Sequence, residues 1–218
     1  MMTAKKSQRK RAAPVKKRSI FESKAVKIGI IVIFIAIVVI AAIYFILGSS
    51  NEDNEVVGNP IAVFDTTLGT FKVELYQDKM PETCENFIKL VNDGFYNGMT
   101  FYRISDNFMI QAGRYFPDGS EKQSPYGNIN FEESDVKHVD GAISMASTGA
   151  GVGGSSEFFI CDGEQSFLDG NYAAFGVVIE GIEVVRDIAA QPHDNSNPAG
   201  GGVPLEDIII DSIIIENQ

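Results

Sequence analysis

Histidine and cysteine are nearly absent from this chain. Its 218 residues include two histidines, His138 and His193, and two cysteines, Cys84 and Cys161. Two cysteines are too few for a disulfide framework, and their spacing is not that of a zinc finger. A nucleophile–histidine catalyst needs a histidine paired with a recognisable nucleophile motif. Both histidines lie in polar, loop-like stretches without one and read as surface residues. The groupings Asp135/His138/Asp140 and His193/Asp194 match no known metal cage, so neither a metal nor another cofactor is expected. Basic residues are scarce outside the N-terminus. Ten of the 18 Lys and Arg fall in 1–27 beside one acid, Glu22, leaving 8 basic against 28 acidic residues in 28–218. A body of that charge would repel a phosphate backbone, which argues against a nucleic-acid partner. No internal repeat of solenoid length is present.

Charge is missing altogether from 28–47, IGIIVIFIAIVVIAAIYFIL, and so is proline. Twenty residues at 1.5 Å each span about 30 Å, the thickness of a bilayer's hydrocarbon core. Fifteen of them are Ile, Val, Phe or Leu, which favours insertion by about 5–9 kcal/mol. A buried core helix would rarely be apolar on every face for this length. A cleaved signal peptide is the stronger rival, with Gly48-Ser49-Ser50 as a permissive site. The length of the run and of the basic region before it point instead to a retained anchor. The net charge of +9 in 1–27 keeps that end cytoplasmic. The expected organisation is a basic cytoplasmic tail (1–27), a transmembrane helix (28–47) in contact with the lipid bilayer, a polar linker (48–59) and a folded domain (60–218). The expected location is the cell membrane, single-pass, with 51–218 outside the cytoplasm.

The folded part reads as mainly β. Short β-rich runs occupy 61–65, 70–76, 100–104, 107–111, 141–146, 157–161, 173–180 and 207–215, with TTLG at 66–69 as a hairpin turn. Two helices interrupt them. The first is 81–92, PETCENFIKLVN, with Pro81 at its first position, Glu82 and Glu85 near the positive end, and Gly94 after its end. The second is 181–190, GIEVVRDIAA, with Ile182, Val185, Ile188 and Ala189 on one face. This order suggests a closed antiparallel barrel of eight strands capped by two helices. The stretch STGAGVGGSS at 147–156 satisfies GxGxxG through Gly149, Gly151 and Gly154. A strand-like run, EFFIC, follows it where a dinucleotide site requires a helix, and no P-loop lysine follows. It reads as a surface loop.

One further set of residues is informative. FYRISDNFMIQAG (101–113), AISMA (142–146), SSEFFIC (155–161) and FLDGNYAAFG (167–176) occur in that order. Together with VFDTTLGTFKVELY, PETCENFIKLV, GFYNGMTFYRI and PLEDIIID, the chain resembles the cyclophilin-type peptidyl-prolyl isomerases over essentially all of 61–215. The resemblance implies an eight-stranded barrel with a groove on its outer face. It implies a catalytic role for Arg103, with Gln111 holding the peptide backbone. Phe108, Met109, Phe159 and Leu168 would form the proline pocket, and Ala146 and Ser147 would line the groove beside it. Proline-containing polypeptides are then the substrates. The residue types suit the chemistry. Rotation about an X–Pro bond faces a barrier of about 18–20 kcal/mol from C–N resonance, and no bond is made or broken. An apolar pocket holds the ring, and an arginine, charged at any relevant pH, donates to the prolyl nitrogen as its lone pair localises.

The chain departs from the family's usual text at several positions. Glu157 stands for glutamine, Ser147 for asparagine, Phe167 for tryptophan, Tyr172 for histidine, and Gly113-Arg114 where GGD is common. Losing the indole removes a hydrogen-bond donor to cyclosporin. Two readings of Glu157 stay open: an ion pair with Arg103 that competes with substrate, or a contact that orients the guanidinium. If a strand puts Glu157 and Phe159 on one face, the carboxylate neighbours both the pocket and Arg103. The competing functional reading is a groove that binds proline segments without turning them, or a barrel serving as an envelope scaffold.

Overall fold

Side-chain alternation builds the sheet. In Ile61–Thr66 (β1), Ala62 and Phe64 are fully buried, and in Gly69–Leu75 (β2) so are Phe71, Val73 and Leu75, while Lys72 and Glu74 are less buried. The two strands pair antiparallel with Phe64 opposite Phe71, and those rings stack with centroids 4.6 Å apart. In the connecting turn the Thr66 hydroxyl donates to the Gly69 carbonyl at 2.6 Å. This computed structural model describes residues 28–29, 32–33, 35–40, 58–133 and 135–216. The chain divides into two units, Met1–Glu55 and Val56–Gln218. In the first, the described residues are helical and their large side chains, Ile28 to Ile40, are exposed. Half of the span expected at 28–47, all of 1–27 and most of the linker lie outside the described residues. Among the described residues no helix is long and apolar enough to cross a membrane.

The second unit continues with Pro81–Asn92 (α1), Arg103–Ser105 (β3), Met109–Ala112 (β4), Ala142–Met145 (β5), Phe158–Cys161 (β6), a 3₁₀ turn at Ser166–Leu168, Ala174–Glu180 (β7), Ile182–Ala189 (α2) and Ile210–Glu216 (β8). Proline starts α1, and Cys84, Phe87, Leu90 and Val91 face the core. Met80 supplies no side-chain cap. The Glu132 carboxylate, distant in sequence, accepts the N–H groups of Glu82 (3.2 Å) and Thr83 (2.8 Å) instead, satisfying donors a helix start leaves open.

All eight strands lie in one antiparallel sheet ordered β3-β4-β6-β5-β7-β2-β1-β8. The expected closed barrel needs correction, because the ladder stops short of closure. Among the described residues the end strands β3 and β8 share no ladder. The edge of β3 is taken by a loop, with Ile104 and Gly202 exchanging both backbone hydrogen bonds at 3.0 Å. Residues ahead of β3 make the seam with the start of β8 and the residues just before it, Gly98 N–H to Ile210 C=O at 2.8 Å and Phe101 N–H to Ile208 C=O at 3.0 Å. The result is a curled half-barrel.

Its concave side encloses the main core, where Phe64 stacks on Phe87, the edge of Phe158 meets Phe64, Phe87 and Tyr96, and Tyr96 lies tilted against Phe87. Every residue of β6 is buried, yet the strand serves two clusters. Phe158 and Ile160 enter the main core. Phe159 and Cys161, on the opposite face, join Met109, Ala142 and Leu168 in a smaller cluster. The period of two thus places an apolar floor on the outside of the sheet.

Candidate active site

Three neighbouring strands carry the site in register. Arg103 on β3 lies opposite Gln111 on β4, and Gln111 lies opposite Phe159 on β6. Met109, two residues before Gln111, shares its face. The 3₁₀ turn brings Leu168, and Tyr172 follows it to meet the Phe159 ring edge-on, with centroids 5.9 Å apart. Gly113 lets β4 pass β6 closely. Its φ is +99°, and a Cβ there would stand 2.4 Å from the Ser156 carbonyl.

These elements enclose a pocket of about 140 Å³ lined by Arg103, Phe108, Met109, Gln111, Ala146, Ser147, Phe159, Leu168 and Tyr172. Nine of the eleven residues expected at the site therefore converge. Glu157 and Phe167 do not line it. Phe167 is 66% exposed and stacks on Phe108 at 5.9 Å outside the pocket. Glu157 lines an adjoining cavity of about 230 Å³ that shares Gln111, Ala146 and Ser147 with the first. The Ser147 hydroxyl donates to the Gly149 carbonyl at 2.7 Å.

Arg103 is held from two sides. Its Nε donates to the Gly200 carbonyl at 3.2 Å, and its Nη2 to the Ala199 and Gly200 carbonyls at 3.2 and 3.0 Å. Its Nη1 donates to Gln111 Oε1 at 3.4 Å. The guanidinium carbon lies 5.6 Å from the centre of the Phe108 ring. Partial burial lowers its pKa, but a guanidinium starts so high that it stays charged. A fixed cation therefore borders an apolar pocket.

The expected contact between Glu157 and Arg103 is corrected here. Among the described residues Glu157 makes no ion pair with Arg103. Its Oε1 pairs with Arg114 Nη1 at 3.2 Å, and its Oε2 accepts the Tyr102 hydroxyl. Residue 157 precedes the first residue of β6, and Arg114 supplies a nearer cation.

His138 is also corrected. It is 1% exposed rather than a surface residue. Its Nδ1 lies 3.0 Å from Asp169 Oδ1 and its Nε2 3.1 Å from the Ser144 hydroxyl, so the Asp135/His138/Asp140 grouping does not form. The ring stacks on Phe159 at 5.9 Å and 9°, supporting the pocket floor from behind. Burial lowers its pKa, and Asp169 opposes that shift. Tyr102, His138 and the Ala199–Gly200 carbonyls were all missed from sequence, and Arg114 was noted only as a departure from the family's text. Of these, Tyr102, as the neighbour of Arg103, and Arg114, as that departure, carried a local signal.

A groove of this kind, apolar where a ring would sit and cationic at one edge, with its one serine hydroxyl bonded to the Gly149 carbonyl, suits rotation about a peptide bond. Residues 61–214 match the family model described as cyclophilin type peptidyl-prolyl cis-trans isomerase/CLD. The chain belongs to that family, enzymes that act on proline-containing peptides. It is 38% identical over 151 residues to peptidyl-prolyl cis-trans isomerase-like 1 of Emericella nidulans, covering 67% of this chain and 89% of that protein. It is 40% identical over 129 residues to a peptidyl-prolyl cis-trans isomerase of Synechococcus elongatus, covering 58% and 87%. Among solved structures, a cyclophilin type peptidyl-prolyl cis-trans isomerase of Cryptosporidium parvum superposes with a TM-score of 0.65 at 31% identity, covering 72% of this chain and 98% of that one.

Proposed function

We propose that this isomerase turns X–Pro bonds in its outer groove with Arg103 as the catalytic group, and that it does so from a membrane anchor on exported or unfolded chains. The observation that carries the first part is the convergence of Arg103 and Gln111 with the apolar pocket of Phe108, Met109, Phe159 and Leu168. The proline ring seats on Phe159 and Met109, and Gln111 holds the adjoining peptide backbone. As the bond twists, resonance is lost and the prolyl nitrogen becomes a hydrogen-bond acceptor. The Arg103 guanidinium then donates to it, an interaction the planar ground states lack.

The test is an isomerase assay on a short X–Pro peptide with the full chain and with Arg103→Ala. The variant should fold normally and lose at least tenfold in rate, about 1.4 kcal/mol. A folded Arg103→Ala protein with near wild-type turnover would remove arginine from the mechanism.

The anchored location is supported by the uncharged run 28–47, the net charge of +9 before it and the exposed apolar side chains of the described residues between Ile28 and Ile40. Tethering would concentrate the enzyme where exported chains emerge. Protease added to intact cells should degrade 51–218 while a tag at Met1 survives. Protection of 51–218, or a mature N-terminus near Ser49, would refute it.

A further inference from the structure

Arg114, Glu157, Tyr102, Gln111 and Arg103 form one continuous polar chain from the adjoining cavity to the proline pocket. Its hydrogen-bond directions follow from chemistry. An ionised carboxylate only accepts, so Glu157 Oε2 takes the single proton of the Tyr102 hydroxyl. The tyrosine oxygen then has only lone pairs left to offer Gln111. The glutamine atom facing it must be the donor, Nε2. The same Nε2 points toward Glu157 Oε2 at 3.4 Å. With Nε2 so engaged, Oε1 is turned to Arg103, whose Nη1 reaches it at 3.4 Å. A neutral amide at 157 would impose no such direction. It both donates and accepts, so the direction of the Gln111 amide would then rest on Arg103 alone, whose N–H groups only donate. Arg114, itself shared with Glu121 at 3.2 Å, holds the carboxylate in place.

We propose that Glu157 and Tyr102 are positioning residues that lock the Gln111 amide with its oxygen toward Arg103 and the bound peptide. Gln111 therefore presents the substrate with an acceptor, suited to a backbone N–H, and steadies the guanidinium from the side opposite the Ala199–Gly200 carbonyls. Burial and the charge of Glu157 raise the Tyr102 pKa, so the hydroxyl remains a donor throughout the working pH range. This proposal rests on the roles given to Arg103 and Gln111 above.

The test combines kinetics of the full chain with NMR of the Gln111 side-chain amide. Tyr102→Phe should lower kcat/KM at least fivefold and shift the Gln111 Nε2 proton resonances. Added to Gln111→Ala, it should cost less than a further twofold, because it acts through that amide. Should Tyr102→Phe fail to fold, the isosteric Glu157→Gln serves the same purpose. It should lower kcat/KM about threefold and shift the same resonances. Tyr102→Phe within twofold of wild type, an additive loss in the double variant, or a faster Glu157→Gln enzyme overturns the positioning chain. If Arg103→Ala still loses tenfold in that case, the proposed function stands. If Arg103→Ala turns over like wild type, that reading fails on its own.

Discussion

Replacing Arg103 with lysine would keep the charge and remove the fork. A guanidinium has five N–H donors in a rigid plane. Here Nε serves Gly200, the two Nη2 protons serve Ala199 and Gly200, and one Nη1 proton serves Gln111. Among the described residues this leaves one Nη1 proton uncommitted, beside the pocket. A lysine ammonium, with three donors on a flexible stem, cannot hold two backbone carbonyls and the glutamine while keeping a donor aimed at the prolyl nitrogen. A charge-assisted hydrogen bond contributes about 1.5–3 kcal/mol. If that contact exists only in the twisted state, its loss lowers the rate by about tenfold to 150-fold. The assay follows cis-to-trans conversion of a short X–Pro peptide, with circular dichroism and a thermal melt showing that the variant is folded. Arg103→Lys should fall close to Arg103→Ala. Recovery of Arg103→Lys to within twofold of wild type would show that positive charge alone suffices, and the argument from the guanidinium's geometry would be wrong.

Other outcomes follow from groups around the groove. Cys84 and Cys161 are buried free thiols whose pKa is pushed up to about 12, chiefly by burial. Neither should react with a thiol reagent at neutral pH until the chain is denatured, and rapid labelling of native protein would contradict this. Burial holds the His138 pKa below its ordinary value, so unfolding takes up a proton once the pH drops below about 6.5. The stability this confers is present above that pH and lost as the pH falls. Melting temperature should therefore decline between pH 7.5 and 5.5, and less steeply in His138→Gln; equal slopes would locate the titration elsewhere. Phe167→Trp should strengthen cyclosporin binding in a calorimetric titration by restoring an indole donor at the groove's rim, and unchanged affinity would show that the ring at 167 lies too far out.

Much of the fold was legible because its signals are local. The first helix, 81–92, agrees with α1 to the residue, since Pro81 marks its start and the apolar spacing sets its face. The turn at 66–69 and the strands around it follow from alternation between two polar breaks. Boundaries slipped where partners decide them. The third and last strands begin at Arg103 and Ile210 rather than at 100 and 207, because the residues ahead of each bond across the seam. The ladder's failure to close was equally out of reach, since a loop displaces a strand from the edge of β3.

The site divides along the same line. By itself the sequence determined nine of the eleven side chains expected at the groove, through the resemblance that FYR, FMIQ, AISMA, EFFIC and FLDGNY carry, and strand register brings Arg103, Gln111 and Phe159 side by side. Only the tertiary structure decided what those side chains do to one another. Glu157 turned to Arg114 and Tyr102 instead of Arg103, and His138 left the surface for a place between Asp169 and Ser144. Partners such as these lie 6 to 55 residues apart in the chain. A hydrogen bond needs atoms within about 3 Å, a condition the folded backbone meets and no local spacing encodes.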